Sequence, residues 1–184
     1  MPLSESSPRT HLHTRAITLQ GFRREDGQFD IEAELVDTKT HRFEIDDRNV
    51  EPGEPLHHMR ARLTVTEDLL ITAAEAVTEQ GPFSICGGGA HTYGRLAGLT
   101  IKPGFLKAAN ERLGGAAGCT HLRELLQQMA TVAYQTTFPV RVGREPATPE
   151  TRPRLLDTCH AYASDGPVVE KRWPQFFKAP EVTP

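Results

Sequence analysis

The sequence is poor in cysteine, in aromatic residues and in net charge. Three cysteines are scattered through 184 residues, aromatic side chains make up 7% of them, and the net charge is -3. An odd, scattered set of cysteines does not form a disulfide framework and suits a reducing compartment. A charge so close to neutral gives no reason to expect a nucleic-acid partner.

Long apolar runs are missing as well. No stretch approaches the roughly 18 apolar residues of a membrane helix, and the polar start MPLSESSPRT lacks the apolar segment of a secretory signal. We therefore expect a cytoplasmic protein with no membrane partner. The length fits one domain, with residues 1–10 as a disordered N-terminus, 11–138 as a single α+β domain and 139–184 as a proline-rich tail wrapped onto it.

The first half of the chain has the period of two that is typical of strands. One face is formed by the odd residues of His13–Gly21, and 25–27 predicts a turn before a second alternating strand at Ile31–Val36. These two segments predict a hairpin, and a polar turn is expected at 37–40. The outward side chains of the second strand form a solvated edge: Asp30, Glu32 and Glu34.

Three further segments extend this pattern. A third extended run covers His41–Ile45 and precedes a charged loop at 46–55, whereas Met59–Thr66 has the clearest strand alternation in the sequence. The segment Leu69–Thr78 fits the hairpin partner of that strand, although a helix could also begin at Ala73.

Helix signals follow in the glycine-punctuated second half. Short helices are predicted at His91–Leu96 and Leu155–Tyr162, and a longer one runs from Pro103 to Leu113. The strongest helix begins at 118–120 and repeats apolar residues at helical spacing: Leu122, Leu125, Leu126, Met129, Val132 and Ala133. Strands followed by helices predict an α+β fold, an antiparallel sheet of about four to five strands with helices packed on one face.

Cys119 is the first candidate for chemistry because it stands at the start of the strongest helix. Unpaired backbone N–H groups and the helix dipole favour a thiolate there, the form that binds metals and attacks electrophiles. A small residue between glycines also fits a tight turn without any function.

Cys86 and His57 are the next candidates. Cys86 precedes the triple glycine at 87–89, which frees the loop to bend around an ion but lacks the pattern of a phosphate-binding loop. Strand phase turns His57 inward and His58 outward. An inward imidazole with two thiols suits zinc or iron, although a core histidine bonded to a backbone carbonyl has the same pattern.

Three other residues are possible ligands. His121 follows Cys119 by two positions, and side chains two apart diverge on a helix, so the two meet only if Cys119 precedes the first turn. His91 and Cys159 lie in the glycine-rich region and in the tail, respectively.

The segments DGQFDIEAELVDTK, EPLHHMRARLTV, GGAAGCTHLREL and LLDTCHAYASDG resemble an uncharacterised bacterial family of unknown function, DUF2889, from His11 to Phe176. This resemblance implies no activity. Residues 55–135 are also similar, in the order of their elements, to iron-sulfur cluster scaffold proteins of the IscU/NifU type. That second resemblance implies metal ligands at Cys86, Cys119 and His57, but Gly118 stands where a histidine ligand is expected.

The sequence leaves three functions open. The first is a metal-binding protein with His57, Cys86 and Cys119 as ligands, a fourth from His121, His91 or Cys159, and zinc, iron or an iron-sulfur cluster as cofactor. Its partner would be a metal or sulfur donor protein or a small-molecule substrate. The second is a small-molecule enzyme with Cys119 as nucleophile or an open-site metal as catalyst, and the third is a structural or partner-binding domain with inert cysteines. The sequence does not indicate an oligomeric state.

Overall fold

Six antiparallel strands occupy the first half of the chain in a computed structural model that describes residues 3–45, 47–142 and 151–179. The strands are β1 (His13–Arg23), β2 (Phe29–Lys39), β3 (Phe43–Ile45), β4 (Arg48–Val50), β5 (Pro55–Val65) and β6 (Ile71–Gln80). Four of them form one sheet in the order β1-β2-β5-β6. Both predicted hairpins are therefore present, and they pair through their central strands β2 and β5.

The remaining two strands, β3 and β4, form a separate two-stranded sheet within the connection that leads from β2 to β5. The prediction of a loop at 46–55 is wrong for β4, which pairs Val50 with Phe43. Val50 is fully buried. The burial of this apolar side chain favours a strand in a segment whose other residues are mostly charged or polar. Asp46 lies outside the described residues.

The choice between strand and helix at Leu69–Thr78 is settled in favour of the strand. The segment pairs with β5 as β6, for example Ala61 with Ala76 and Leu63 with Ala74. Alanine favours helix when judged alone, but cross-strand pairing and the burial of Ile71 decide the outcome.

Three α-helices follow in the part of the chain that the structure describes: α1 (Phe105–Leu113), α2 (Thr120–Val142) and α3 (Pro167–Arg172). Helix α2 passes the predicted boundary at 138/139 and includes Pro139 in its last turn, although proline lacks the N–H that would donate to the carbonyl four residues earlier. The predicted helix at Leu155–Tyr162 is reduced to a 3₁₀ turn, His160–Tyr162, and the other 3₁₀ turns are Ser84–Gly89, His91–Leu96, Gly115–Ala117 and Pro174–Phe176. No described helix has the length and apolar character needed to cross a membrane.

The helices of the first 142 residues cover one face of the sheet. Helix α2 contacts β1, β2 and β5, the 3₁₀ turn at His91–Leu96 contacts β6, and α1 contacts both of these helical segments. We refer to the helix-covered side as the inner face. Its core includes Ile31, Ala33, Leu35, Ala61, Leu63, Tyr93, Leu125, Leu126 and Met129. The predicted α+β architecture is confirmed.

The chain divides into two compact units, Met1–Gly143 and Arg144–Pro184. Within the second unit, the rings of Tyr162 and Trp173 lie 5.5 Å apart. Whether 139–184 belongs to the same domain as 11–138 stays a prediction, and its parts at 143–150 and 180–184 lie outside the described residues. Residues 3–12 form no helix or strand and are exposed, and the first two residues of the predicted disordered N-terminus are not among those described.

Candidate metal centre

Three polar side chains meet on the inner face, in strands β1, β2 and β5. The strand register places Arg15 opposite Asp37 and Asp37 opposite His57. Side chains in opposite positions of neighbouring strands lie about 5 Å apart at their β-carbons, which allows direct hydrogen bonds. We refer to these three residues as the Arg15–Asp37–His57 rung.

Asp37 is the centre of the rung, and its side chain is only 1% exposed. Arg15 donates from Nε to Oδ1 and from Nη2 to Oδ2, both at 2.8 Å. His57 Nδ1 lies 2.9 Å from Oδ2. Burial raises the pKa of Asp37, but the hydrogen bonds and charges of Arg15 and His57 outweigh it and hold the pKa below its ordinary value. The buried group is therefore a carboxylate.

Helix α2 adds His121 to the rung. The ring of His121 stacks on that of His57, with centroids 3.9 Å apart and planes tilted by 35°. The same helix supplies Glu124, whose Oε2 accepts a 2.6 Å hydrogen bond from Arg15 Nη1. Arg15 thus ties the first turns of α2 to the sheet at the point where the two imidazoles meet.

These side chains form a candidate metal site. One ligand atom each from Asp37, His57 and His121 lies within 4.8 Å of the others. Imidazole nitrogen and carboxylate oxygen are common ligands of zinc and iron. Burial lowers the pKa of both histidines, helped at His57 by His121 and at His121 by Arg15, and a neutral imidazole has the lone pair that a metal needs.

Cys119 borders this group without belonging to it. Its Sγ lies 3.8 Å from His121 Nδ1 and 3.8 Å from Met59 Sδ. The two side chains can meet because Cys119 precedes the first residue of α2, as the sequence required. Gly89 allows the close packing here, since a β-carbon on it would lie 3.1 Å from the Cys119 β-carbon.

The other predicted ligands lie elsewhere. Cys86 is half-buried in the 3₁₀ turn Ser84–Gly89 and packs against Gly81, where a β-carbon would lie 2.7 Å from that of Cys86. His91 is exposed at the start of the next turn, and Cys159 is exposed in the second unit. Among the described residues, no group of three or more metal-binding side chains includes a cysteine. The ligand roles of Cys86, His91 and Cys159 stay predictions.

Asp37 is the site residue that the sequence interpretation missed. It was assigned to a turn at 37–40, which is wrong, because β2 continues to Lys39. The signal was present: Asp37 continues the inward phase of Ile31, Ala33 and Leu35, and a carboxylate in that phase must find a partner on a neighbouring strand.

An α+β protein with a candidate Asp/His/His metal centre is the class that the fold and the site define. The chain belongs to the family described as "Protein of unknown function (DUF2889)", which matches residues 13–135. All residues of the rung, together with Cys119 and His121, lie within that match. No curated protein and no solved structure matches the chain, so the resemblance to iron-sulfur scaffold proteins has no support from these comparisons.

Proposed function

We propose that this protein binds a divalent first-row transition metal, zinc or iron, in the site where Asp37, His57 and His121 converge. The observation that carries the proposal is the convergence of three ligand atoms within 4.8 Å around a carboxylate that is 1% exposed. Two imidazoles and a carboxylate form a set with open coordination positions, which suits metal handling or metal-assisted chemistry.

A single ion fits the site better than an iron-sulfur cluster. Clusters are held chiefly by cysteine thiolates, and Cys119 is the one cysteine found in contact with the described site histidines. Cys86 packs against Gly81 instead. We therefore propose a mononuclear centre with mixed nitrogen, oxygen and sulfur surroundings.

Metal analysis tests this function. The protein as purified is analysed for zinc and iron, and the metal-free form is titrated with Zn²⁺ by calorimetry. We expect about one equivalent bound, with binding lost in His57→Ala and in His121→Ala. His58→Ala is the matched control, because His58 is the next residue of β5 but binds Glu34 and Glu79 instead. Absence of any bound metal, or equal losses in His57→Ala and His58→Ala, would contradict the proposal.

The contact between Cys119 and His121 supports a second candidate, a small-molecule enzyme with Cys119 as nucleophile and His121 as base. A Cys86→Ser/Cys159→Ser variant leaves Cys119 as the only thiol and can be treated with iodoacetamide near neutral pH. Fast alkylation that a chelator does not change favours the nucleophile. Slow alkylation that a chelator accelerates favours the metal, and Cys119→Ser is the blank for either result.

A further inference from the structure

We infer that the metal ligands are His57 Nε2, His121 Nδ1 and Cys119 Sγ, and that Asp37 is a positioning residue that orients His57. This inference rests on the proposed function and deepens it. It assigns the ligands within that site, with a thiolate as the third, and leaves the fourth position of a tetrahedral site open for water or substrate, as in catalytic zinc centres.

The first argument is that the carboxylate of Asp37 is already occupied. Arg15 binds both of its oxygens at 2.8 Å, and His57 Nδ1 takes Oδ2 at 2.9 Å. His13 Nε2 adds a contact of 3.3 Å with Oδ1. A metal bound to Asp37 would have to compete with a guanidinium that is itself a fixed positive charge.

The second argument concerns the tautomer of His57. A carboxylate only accepts hydrogen bonds, so Nδ1 must carry the proton that it shares with Asp37, and Nε2 keeps the lone pair. Nε2 of His57 is the ring nitrogen that the hydrogen bond to Asp37 does not use. Metal-binding histidines commonly use this arrangement, in which a carboxylate holds one nitrogen and the metal takes the other.

The third argument is the spacing between Cys119 and His121. In a tetrahedral zinc site with Zn–S of about 2.3 Å and Zn–N of about 2.0 Å, sulfur and nitrogen lie about 3.6 Å apart. The observed Sγ to Nδ1 separation is 3.8 Å. Among the described residues Cys119 joins no group of three ligand atoms within 4.8 Å of one another, so the inference requires these three ligand atoms to move closer together when the metal binds.

Cobalt substitution tests the ligand set. The metal-free protein is titrated with Co²⁺ in the presence of a reductant, and the sulfur-to-cobalt charge-transfer band in the near ultraviolet reports thiolate coordination. We expect the band in the wild-type protein, its loss in Cys119→Ser, and its retention in the matched controls Cys86→Ser and Cys159→Ser.

The outcomes separate this inference from the proposed function. Bound Co²⁺ without the band, or a band lost in Cys86→Ser instead, overturns the thiolate ligand while the metal site stands. If calorimetry detects no bound Co²⁺ or Zn²⁺, the proposed function fails and the inference fails with it.

A second variant tests the role of Asp37. Asp37→Asn keeps an acceptor oxygen for His57 Nδ1 but loses the charge, and we expect Co²⁺ affinity to fall by about 10- to 100-fold with the thiolate band intact. Unchanged affinity, or a spectrum with a different coordination geometry, would contradict the positioning role. If Asp37→Asn does not fold, the comparison of Cys119→Ser with Cys86→Ser still decides the ligand set.

Discussion

His57 and His58 are adjacent in β5 and yet have different surroundings. The side chain of His57 is 13% exposed and contacts a carboxylate that is 1% exposed, on the face that α2 covers. His58 binds Glu34 and Glu79, whose side chains are 40% and 36% exposed, on the opposite, outer face. Neighbouring residues in a strand point to opposite faces, so one position separates a candidate metal ligand from a member of a solvated charge network.

The outer face shows what the same residue types do in water. Arg60 pairs with Glu34 and Glu79, and Arg62 pairs with Glu32 and Glu75. Exposed pairs of this kind are worth little individually because water solvates and screens them. The inner face has few charges, but its carboxylate is removed from solvent, so each partner of Asp37 matters more.

The largest expected difference between the two faces is in the loss of unfolding free energy when a packed side chain is removed. Leu63 is fully buried, and we expect Leu63→Ala to lower the free energy of unfolding by about 4 kcal/mol, since it removes apolar contacts and leaves a cavity. Arg62→Ala, one residue away on the outer face, should cost less than about 1 kcal/mol. Urea denaturation measures both, and similar costs for the two variants would contradict the assignment of the faces.

The next difference compares two carboxylates of β2. Asp37→Ala should lower the free energy of unfolding by about 3 kcal/mol, the lower end for breaking a buried ion pair, because Arg15 is 29% exposed and keeps Glu124. Glu34→Ala on the outer face should cost less than about 1 kcal/mol. A cost for Glu34→Ala as large as that for Asp37→Ala would show that burial does not control these pairs.

A third comparison uses the contact between β1 and α2. A β-carbon on Gly21 would overlap Thr136 Oγ1, so Gly21→Ala should lower the free energy of unfolding by about 2 kcal/mol through overpacking. Thr136→Ala in the same chain should restore much of this loss. Gln20→Ala, the neighbouring outward residue, is the control. Additive effects of Gly21→Ala and Thr136→Ala would argue against the close contact.

The smallest expected effect is a dependence of stability on pH in the metal-free protein. The pKa values of His57 and His121 are lowered in the folded state. As the pH falls below about 6.5, the unfolded chain takes up protons that the folded histidines resist, so the free energy of unfolding decreases. Asp37 acts in the same direction at lower pH, because its pKa is also lowered, and protonation weakens its contacts with Arg15 and His57.

Denaturation in urea across this pH range measures the slope. It should become shallower in His57→Gln/His121→Gln. A decrease in stability as the pH rises from 5 to 7 would have the wrong sign for this account.

Much of the fold could be predicted because alternation and helical spacing are local properties. The alternation of Met59–Thr66 and the apolar spacing of α2 were enough to place the main sheet and its covering helix. Strand β3 lies within the predicted extended run His41–Ile45, but β4 and its pairing with β3 were missed because they depend on the burial of Val50 within a charged segment. Tertiary contact, which a local pattern does not contain, decides such segments.

The candidate site was only half predictable for a related reason. Strand phase indicated that His57 points inward, and the start of a helix singled out Cys119. The position of Asp37 in the site depends on the register in which β2 pairs with β5, and that of His121 depends on where α2 begins. Neither property can be read from a local pattern. The glycine-rich loop also suggested Cys86 as a ligand; in the structure Cys86 packs against Gly81, and its ligand role stays a prediction.

Zinc-dependent thermal unfolding tests the central claim, that the His57 side of the sheet is a metal site and the His58 side is not. A ligand at about 100 times its dissociation constant stabilises the folded state by about 2.7 kcal/mol. We predict that Zn²⁺ raises the Tm of the wild-type protein and of His58→Ala but leaves that of His57→Ala unchanged. A wild-type Tm that does not respond to Zn²⁺, or a response lost in His58→Ala and kept in His57→Ala, would contradict the account.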